Sequence, residues 1–195
     1  MTPDQQFWWN WYVLLAGAAA NFLVALVALF GERLWKRAFP PKLKIKLLEK
    51  YGEKTVAVGE RNGQEIRNDV RFFHLQVWNE RRRLSPARNA QVFLTHIEEQ
   101  GPDGRYQVAW TGNVAMRWRD QEIVPVTQTI GAHKDADFFM IGEQTRLLSL
   151  MPLIAQFQVR SNEADSETFR VKVAWDGRWE DGDLEMHHHL RVKEA

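Results

Sequence analysis

Cysteine is absent from the 195 residues, which excludes disulfides, thiol catalysis and cysteine-ligated metals. The absence suits the cytoplasm and is shared by many exported domains. An excess of one charge is also missing: 26 Lys and Arg stand against 25 Asp and Glu, a net charge of +1. So even a balance lacks the broad positive field that phosphate backbones require, and no nucleic acid partner is expected. The chain has no P-loop, no G-x-G-x-x-G, no G-x-S-x-G and no H-E-x-x-H. Together these absences predict a protein that is not an enzyme and carries no cofactor. Internal repeats and low-complexity tracts are lacking too.

One stretch lacks Asp, Glu, Lys, Arg and His altogether: Phe7 to Phe30, "FWWNWYVLLAGAAANFLVALVALF". At ~1.5 Å rise per residue a helix of this length crosses a ~30 Å hydrocarbon layer with some tilt. Trp8, Trp9, Trp11 and Tyr12 crowd one end and Trp35 follows the other, as aromatic belts do at both interfaces. A cleaved signal peptide would begin with positive charge and have a shorter apolar run, whereas the tail 1–6 carries only Asp4. The expectation is a retained transmembrane helix over 7–30. On one side of it Asn10, Gly17, Asn21, Val24, Ala28 and Gly31 recur at helical spacing. Small residues and an amide there suit self-association, and Asn10, Gly17, Asn21 and Ala28 are the predicted contacts of a homo-oligomer.

What the chain does have is positive charge in one place. Residues 31–46 hold Arg33, Lys36, Arg37, Lys42, Lys44 and Lys46 against Glu32, while residues 47–195 sum to −3. Basic residues are retained on the cytoplasmic side of a span, so the N-terminus is expected outside and the domain inside. Lys42, Lys44 and Lys46 alternate with Leu43, Ile45 and Leu47, and that face of a first strand suits either solvent or a lipid bilayer with anionic headgroups.

Pro40 and Pro41 end the helical pattern and close a basic juxtamembrane linker, 31–41. From residue 42 to 195 the period becomes two: "KLKIKLLE", "VRFFHLQVW", "AQVFLTHI", "YQVAW", "FQVR" and "FRVKVAW" are separated by turn signals such as "ERNGQE", "EQGPDGR" and "WDGRWEDGD". Such a pattern predicts an all-β antiparallel sandwich or barrel of seven to nine strands. "EQTRLLSLMPLIAQ" is ambiguous and reads as a strand pair around Pro152. Trp78, Trp110, Trp118, Trp175 and Trp179 are expected to fill the core or cover an edge.

The segments "FHLQVWNERRRLSPARNAQVFLTHIE", "DADFFMIG" and "VAWDGRWEDGDLEMHHHLRV" resemble a group of uncharacterised bacterial membrane-anchored proteins. In that group an "H-L-x-V-x-N…P-A-x-N" hairpin opens an immunoglobulin-like β-sandwich and a "W-D-G-x-W…M…H-L-x-V" hairpin closes it. The resemblance covers most of residues 68–195. It implies that His74, Leu75, Val77 and Asn79 lie on the first core strand and that Pro86, Ala87 and Asn89 begin its partner. It further implies an immunoglobulin-like fold behind an N-terminal span in a bacterial inner membrane, and it brings no activity with it.

Four motifs carry chemistry worth weighing. In an extended strand Glu185, His187 and His189 of "EMHHHL" would share a face, which is a zinc-type spacing. Leu184, Met186, His188, Leu190 and Val192 would then line the buried face, and an exposed terminal strand accounts for the rest, so no metal is expected. "GAHKDADF" spaces His133, Asp135 and Asp137 for a general base, yet no nucleophile accompanies them and turn chemistry is the favoured reading. The acids of "DGRWEDGD" lack EF-hand spacing and suit a hairpin turn. Arg81, Arg82, Arg83 and Arg88 of "NERRRLSPAR" form either a solvated loop or an anion-binding one. The expected function is therefore a membrane-anchored, non-enzymatic interaction or assembly module with an unidentified protein partner. The alternative is a ligand-sensing membrane effector of a bacterial defence-type system whose anchors cluster.

Overall fold

A computed structural model describes residues 3–61, 63–81, 85–119, 128–130, 133–142 and 150–195. The chain divides into two compact units, Met1–Pro40 and Pro41–Ala195.

The first unit is a helix, α1 (Pro3–Ala38). Proline is at home at its first position, where no intrahelical N–H is required, and Pro40–Pro41 prevent its continuation. Within it Gln6–Gly31, 26 residues, is long and apolar enough to cross a membrane, and none of it is buried. The segment read as linker, 31–41, is helical as far as Ala38, because nothing before the prolines opposes the helix. Trp35 then packs against Phe39, past the helix end, with ring centroids 4.6 Å apart and the rings tilted by 46°.

The second unit holds strands β1 (Leu43–Leu47), β2 (Glu53–Arg61), β3 (Gln64–Asn79), β4 (Ala87–Gln100), β5 (Tyr106–Ala115), β6 (Arg117–Trp118), β7 (Gln128–Ile130), β8 (His133–Gly142), β9 (Leu150–Arg160), β10 (Phe169–Trp175) and β11 (Leu190–Glu194). They form two antiparallel sheets, and every pairing among the described residues is antiparallel. One sheet runs β1-β3-β8-β6 with β2 also on β3; the other runs β11-β10-β9-β4-β5 with β7 also on β4. The "MPLIAQ" stretch is one strand, with Pro152 near the start of β9.

Alternation decides the core. Phe73, Leu75 and Val77 of β3 turn inward with Leu43 and Ile45, and meet Val92, Phe157, Val159, Val171, Val173, Trp175 and Val192 of the other sheet in one cluster. Trp118 is also buried there, whereas Trp78 and Trp110 stay partly exposed. The buried polar residue Asn79 closes the following loop: its Oδ1 accepts from the N–H of Lys42 (3.1 Å) and of Arg81 (3.0 Å), and its Nδ2 donates to Ser85 O at 2.6 Å.

The closing segment departs from expectation. "DLEMHHH" is a short helix, α2 (Asp183–His189), and only then does the chain extend into β11. Helical spacing buries Met186 and Leu190, four residues apart, and leaves Leu184 and His188 exposed. A fully buried arginine holds this segment: Arg71 donates to Asp183 Oδ1 at 2.6 Å, to Asp181 O at 3.0 Å and to Tyr51 O at 3.3 Å, with its guanidinium 5.9 Å from the Trp179 ring. Removing a partner from so buried a charge is costly.

Gly52 is the hinge between β1 and β2. Its φ is +74°, and a Cβ there would lie 2.8 Å from the Phe73 ring and 3.2 Å from Phe72 O. Gly63, in the β2–β3 turn, has φ +78° but open space around it. Gly63→Ala should therefore lose only the backbone term, about 1 kcal/mol, while Gly52→Ala should lose about 2–4 kcal/mol because core packing must also shift. Denaturant unfolding of the full-length protein checks the pair; equal losses would show that Phe73 does not fill the space beside Gly52.

Candidate functional site

Two strands share one edge of β3, and between them they leave a seam. β2 pairs with β3 as far as Phe72 and β1 takes over at Leu75, so Phe73 and His74 have no ladder partner on that side. The residues linking β1 to β2 cover the seam. Leu48 N–H donates to His74 O at 3.0 Å, and His74 N–H donates to Glu49 Oε2 at 3.0 Å. The other carboxylate oxygen, Oε1, lies 3.0 Å from His74 Nδ1. Glu49 thus caps the backbone and the ring of the same residue.

On the opposite edge of β3 a β-bulge in β8 brings Asp137 across from His74. Phe138, the extra residue of the bulge, turns inward onto Phe73 and Phe157 at 6.4 and 5.4 Å. Asp137 is left on the outer face, with Oδ1 3.4 Å from His74 Nε2. Arg117 of β6 fixes it, donating from Nε to Oδ2 at 2.8 Å. Bulges recur beside functional sites because they re-aim a side chain in this way.

His74 is 3% exposed although it points away from the sandwich core. Around it lies a cavity of about 190 Å³, lined by Glu53 and Thr55 of β2, Phe72 and His74 of β3, Asp137 of β8, Arg117 of β6 and, just past β6, Arg119. Arg119 pairs with Glu53, and the Phe72 ring stacks beside the imidazole at 6.3 Å. Three carboxylates and two guanidinium groups converge on one buried ring. Such a cleft can bind an anion through the arginines or a cation through the carboxylates and imidazole.

Sequence reading missed most of this. His74 was visible as a polar position on a strand and Asp137 as a residue of a turn, and their pairing depends on the bulge. Arg117 and Arg119 carry a signal, the alternation in "RWRD", and Glu49 and Glu53 carry none. His133 and Asp135 lie with Asp137 on strand β8 and not in a turn; Asp135 Oδ1 accepts from Gln76 Nε2 at 3.2 Å.

The other candidates are dispersed. Glu185, His187 and His189 do not share a strand face, because α2 winds them around a helix. His189 Nδ1 lies 2.7 Å from Asp176 Oδ2, His187 meets the Tyr51 ring edge-on at 5.2 Å, and the Glu185 carboxylate folds back over Gly182. Arg82 and Arg83 lie outside the described residues, as do the side chains of Arg33 and Lys36. Arg88 N–H donates to Glu163 Oε2 at 2.8 Å, which sets an acid beside the arginine loop. Of the strand lysines, Lys42 pairs with Glu80 at 2.6 Å, Lys44 pairs with Glu167 at 3.2 Å and Lys46 lies 5.7 Å from the Trp78 ring centroid. Arg37, Trp8, Trp9, Trp11, Tyr12 and Trp35 are exposed along α1, as are Asn10, Gly17, Asn21 and Ala28.

Several of these contacts fix protonation. The His189 hydrogen bond holds Asp176 below its ordinary value, the Lys54 hydrogen bond and charge do the same for Asp181, and the Lys42 hydrogen bond does so for Glu80. Burial lowers His187 from 6.5, helped by the nearby positive charges of Lys50 and Arg191. All four groups are depressed in the folded state, so each contributes stability above its unfolded pKa and loses it as pH falls through the folded value. Lys54 is raised above 10.5, mainly by Asp181, and its contribution is lost only at high pH. Stability should fall as pH drops below about 6.5, and His187→Gln should flatten the limb that begins there. Denaturant midpoints across that range check this; an unchanged slope in the variant would mean that burial does not hold His187 neutral.

Against this geometry, no family model, curated protein or solved structure matches the chain.

Proposed function

We propose that this protein is a single-pass, membrane-anchored module that presents a β-domain to partners without catalysing a reaction. The observation that carries the reading is the exposed, uninterrupted apolar span Gln6–Gly31, joined through the short break after Ala38 to a domain with its own closed core. Among the described residues none of that span is buried, and a lipid bilayer supplies a covering. The basic run through Arg33, Lys36 and Arg37 favours the domain on the cytoplasmic side of a bacterial inner membrane, with the N-terminus outside. We read the two antiparallel sheets as an immunoglobulin-like sandwich; the β10–β11 pairing, with Trp175 beside Leu190 in the core, supports that reading. Lys42 and Lys44, both paired with acids, contribute less to headgroup contact than the helix-end basic residues do. Along α1 the stripe of Asn10, Gly17, Asn21 and Ala28 favours a homo-oligomer within the membrane.

A second reading has one observation in its favour. The cleft at His74 has the size for a small ligand, and Arg117 and Arg119 in its wall, each paired with an acid of the cluster, offer donors to an anion. Ligand binding there, coupled to clustering of the anchors, would make the protein a sensing effector of a defence-type system.

Topology is tested with single cysteines, since the chain has none of its own. Thr2→Cys and Thr168→Cys suit this; Thr168 is exposed, unlike the neighbouring Ser166, which bonds Val159 N–H at 2.9 Å. An impermeant thiol reagent applied to intact cells should label position 2 and spare position 168, and the reverse pattern would overturn the orientation. For the stripe, crosslinking of full-length protein in native membranes should fall in Gly17→Leu and, by less, in Asn21→Leu. Each amide contact is worth only about 0.6–2 kcal/mol, whereas a leucine at 17 separates the backbones. Leu23→Ile should crosslink like the wild type. Equal crosslinking in all forms would mean that the helix anchors without associating.

A further inference from the structure

We propose that Glu49, Glu53 and His74 form a binding site for a divalent transition-metal cation, with Asp137 positioning the histidine. One imidazole nitrogen and one oxygen from each glutamate already lie within 4.8 Å of one another. Zinc bonds of about 2.0–2.2 Å place tetrahedral ligand atoms about 3.3 Å apart, so only side-chain adjustment separates the present arrangement from a coordinating one. The donor set, imidazole with carboxylates, suits zinc or manganese.

The histidine itself points to a cation. Both of its ring nitrogens face carboxylate oxygens: Nδ1 faces Glu49 Oε1 at 3.0 Å and Nε2 faces Asp137 Oδ1 at 3.4 Å. A neutral imidazole has one N–H and can satisfy only one of them. If Nδ1 donates to Glu49, the Nε2 lone pair is held against the Asp137 carboxylate by Arg117. A second proton on the ring would relieve that opposition, but it would make no use of the third carboxylate, Glu53, which reaches the same point while paired with Arg119. A cation on Nδ1 accounts for all three acids together. Nε2–H then donates to Asp137, the carboxylate–histidine–metal arrangement that fixes ring orientation and tautomer, while Glu49 keeps His74 N–H on its second oxygen.

The test uses full-length protein in detergent micelles, freed of metal with chelator and titrated separately with Zn²⁺ and with Mn²⁺ by calorimetry. One equivalent of zinc or manganese should bind. Glu53→Gln, at a half-exposed side chain whose pair with Arg119 belongs to the weak surface class, should weaken that binding at least tenfold with unfolding behaviour close to that of the wild type. Asp137→Asn should weaken it by about 10–100-fold through the ring alone. His187→Ala/His189→Ala should bind as the wild type does. Absence of stoichiometric uptake in the wild type, equal affinity in Glu53→Gln, or loss of binding in the His187/His189 variant would each overturn the assignment.

Discussion

The seam in β3 is the constraint from which the outer face of this domain follows. A strand of sixteen residues is served on one edge by two shorter ones, and the handover leaves His74 with backbone groups that must bond elsewhere. A buried backbone N–H without a partner is costly, and Glu49, just past the end of β1, supplies the acceptor. Once a carboxylate is committed there, the imidazole beside it has its own pairing settled on one side. The bulge in β8 settles the other by delivering Asp137. Structural necessity thereby assembles a polar cluster that also has binding chemistry.

Stability comes from elsewhere. The core joins both sheets through β3 and β4, and its apolar area outweighs the surface ion pairs, which are each worth about 0–1 kcal/mol. Lys42–Glu80, Lys54–Asp181 and Arg170–Glu98 belong to that weak class. Arg71 differs because its side chain is fully buried and it makes two contacts to the closing segment, at Asp183 and Asp181, and a third to Tyr51 O in the β1–β2 link. Those contacts hold α2 against the end of the sheets, and α2 in turn determines where the three histidines point.

Much of the architecture is legible in the sequence because it rests on local periodicity. The apolar run gives α1 its span, and period-two alternation gives β3, β4 and β10 their inward faces at Phe73, Val92 and Val171. Two short-range errors have a common cause. "EMHHHL" fits both periods over so few residues, and burial of Met186 and Leu190 together with the Arg71 contacts selects the helical one. "GAHKDADF" has the composition of a turn, but pairing with β3 extends it from His133 onward. The candidate site was not legible. Glu49, His74, Asp137 and Arg117 are separated by long stretches of chain, and their meeting depends on a seam and a bulge that no local pattern announces.

The state of the His74 ring tests this account most directly. In full-length protein with ¹⁵N-labelled histidine, the six histidines can be resolved and His74 assigned by its loss in His74→Gln. The account predicts that zinc moves the Nδ1 resonance of His74 to a metal-bound position while Nε2 retains its proton, bonded to Asp137. A His74 ring whose two nitrogens are unchanged by one equivalent of zinc would contradict it, and would leave the cluster as a hydrogen-bonded closure of the β3 seam.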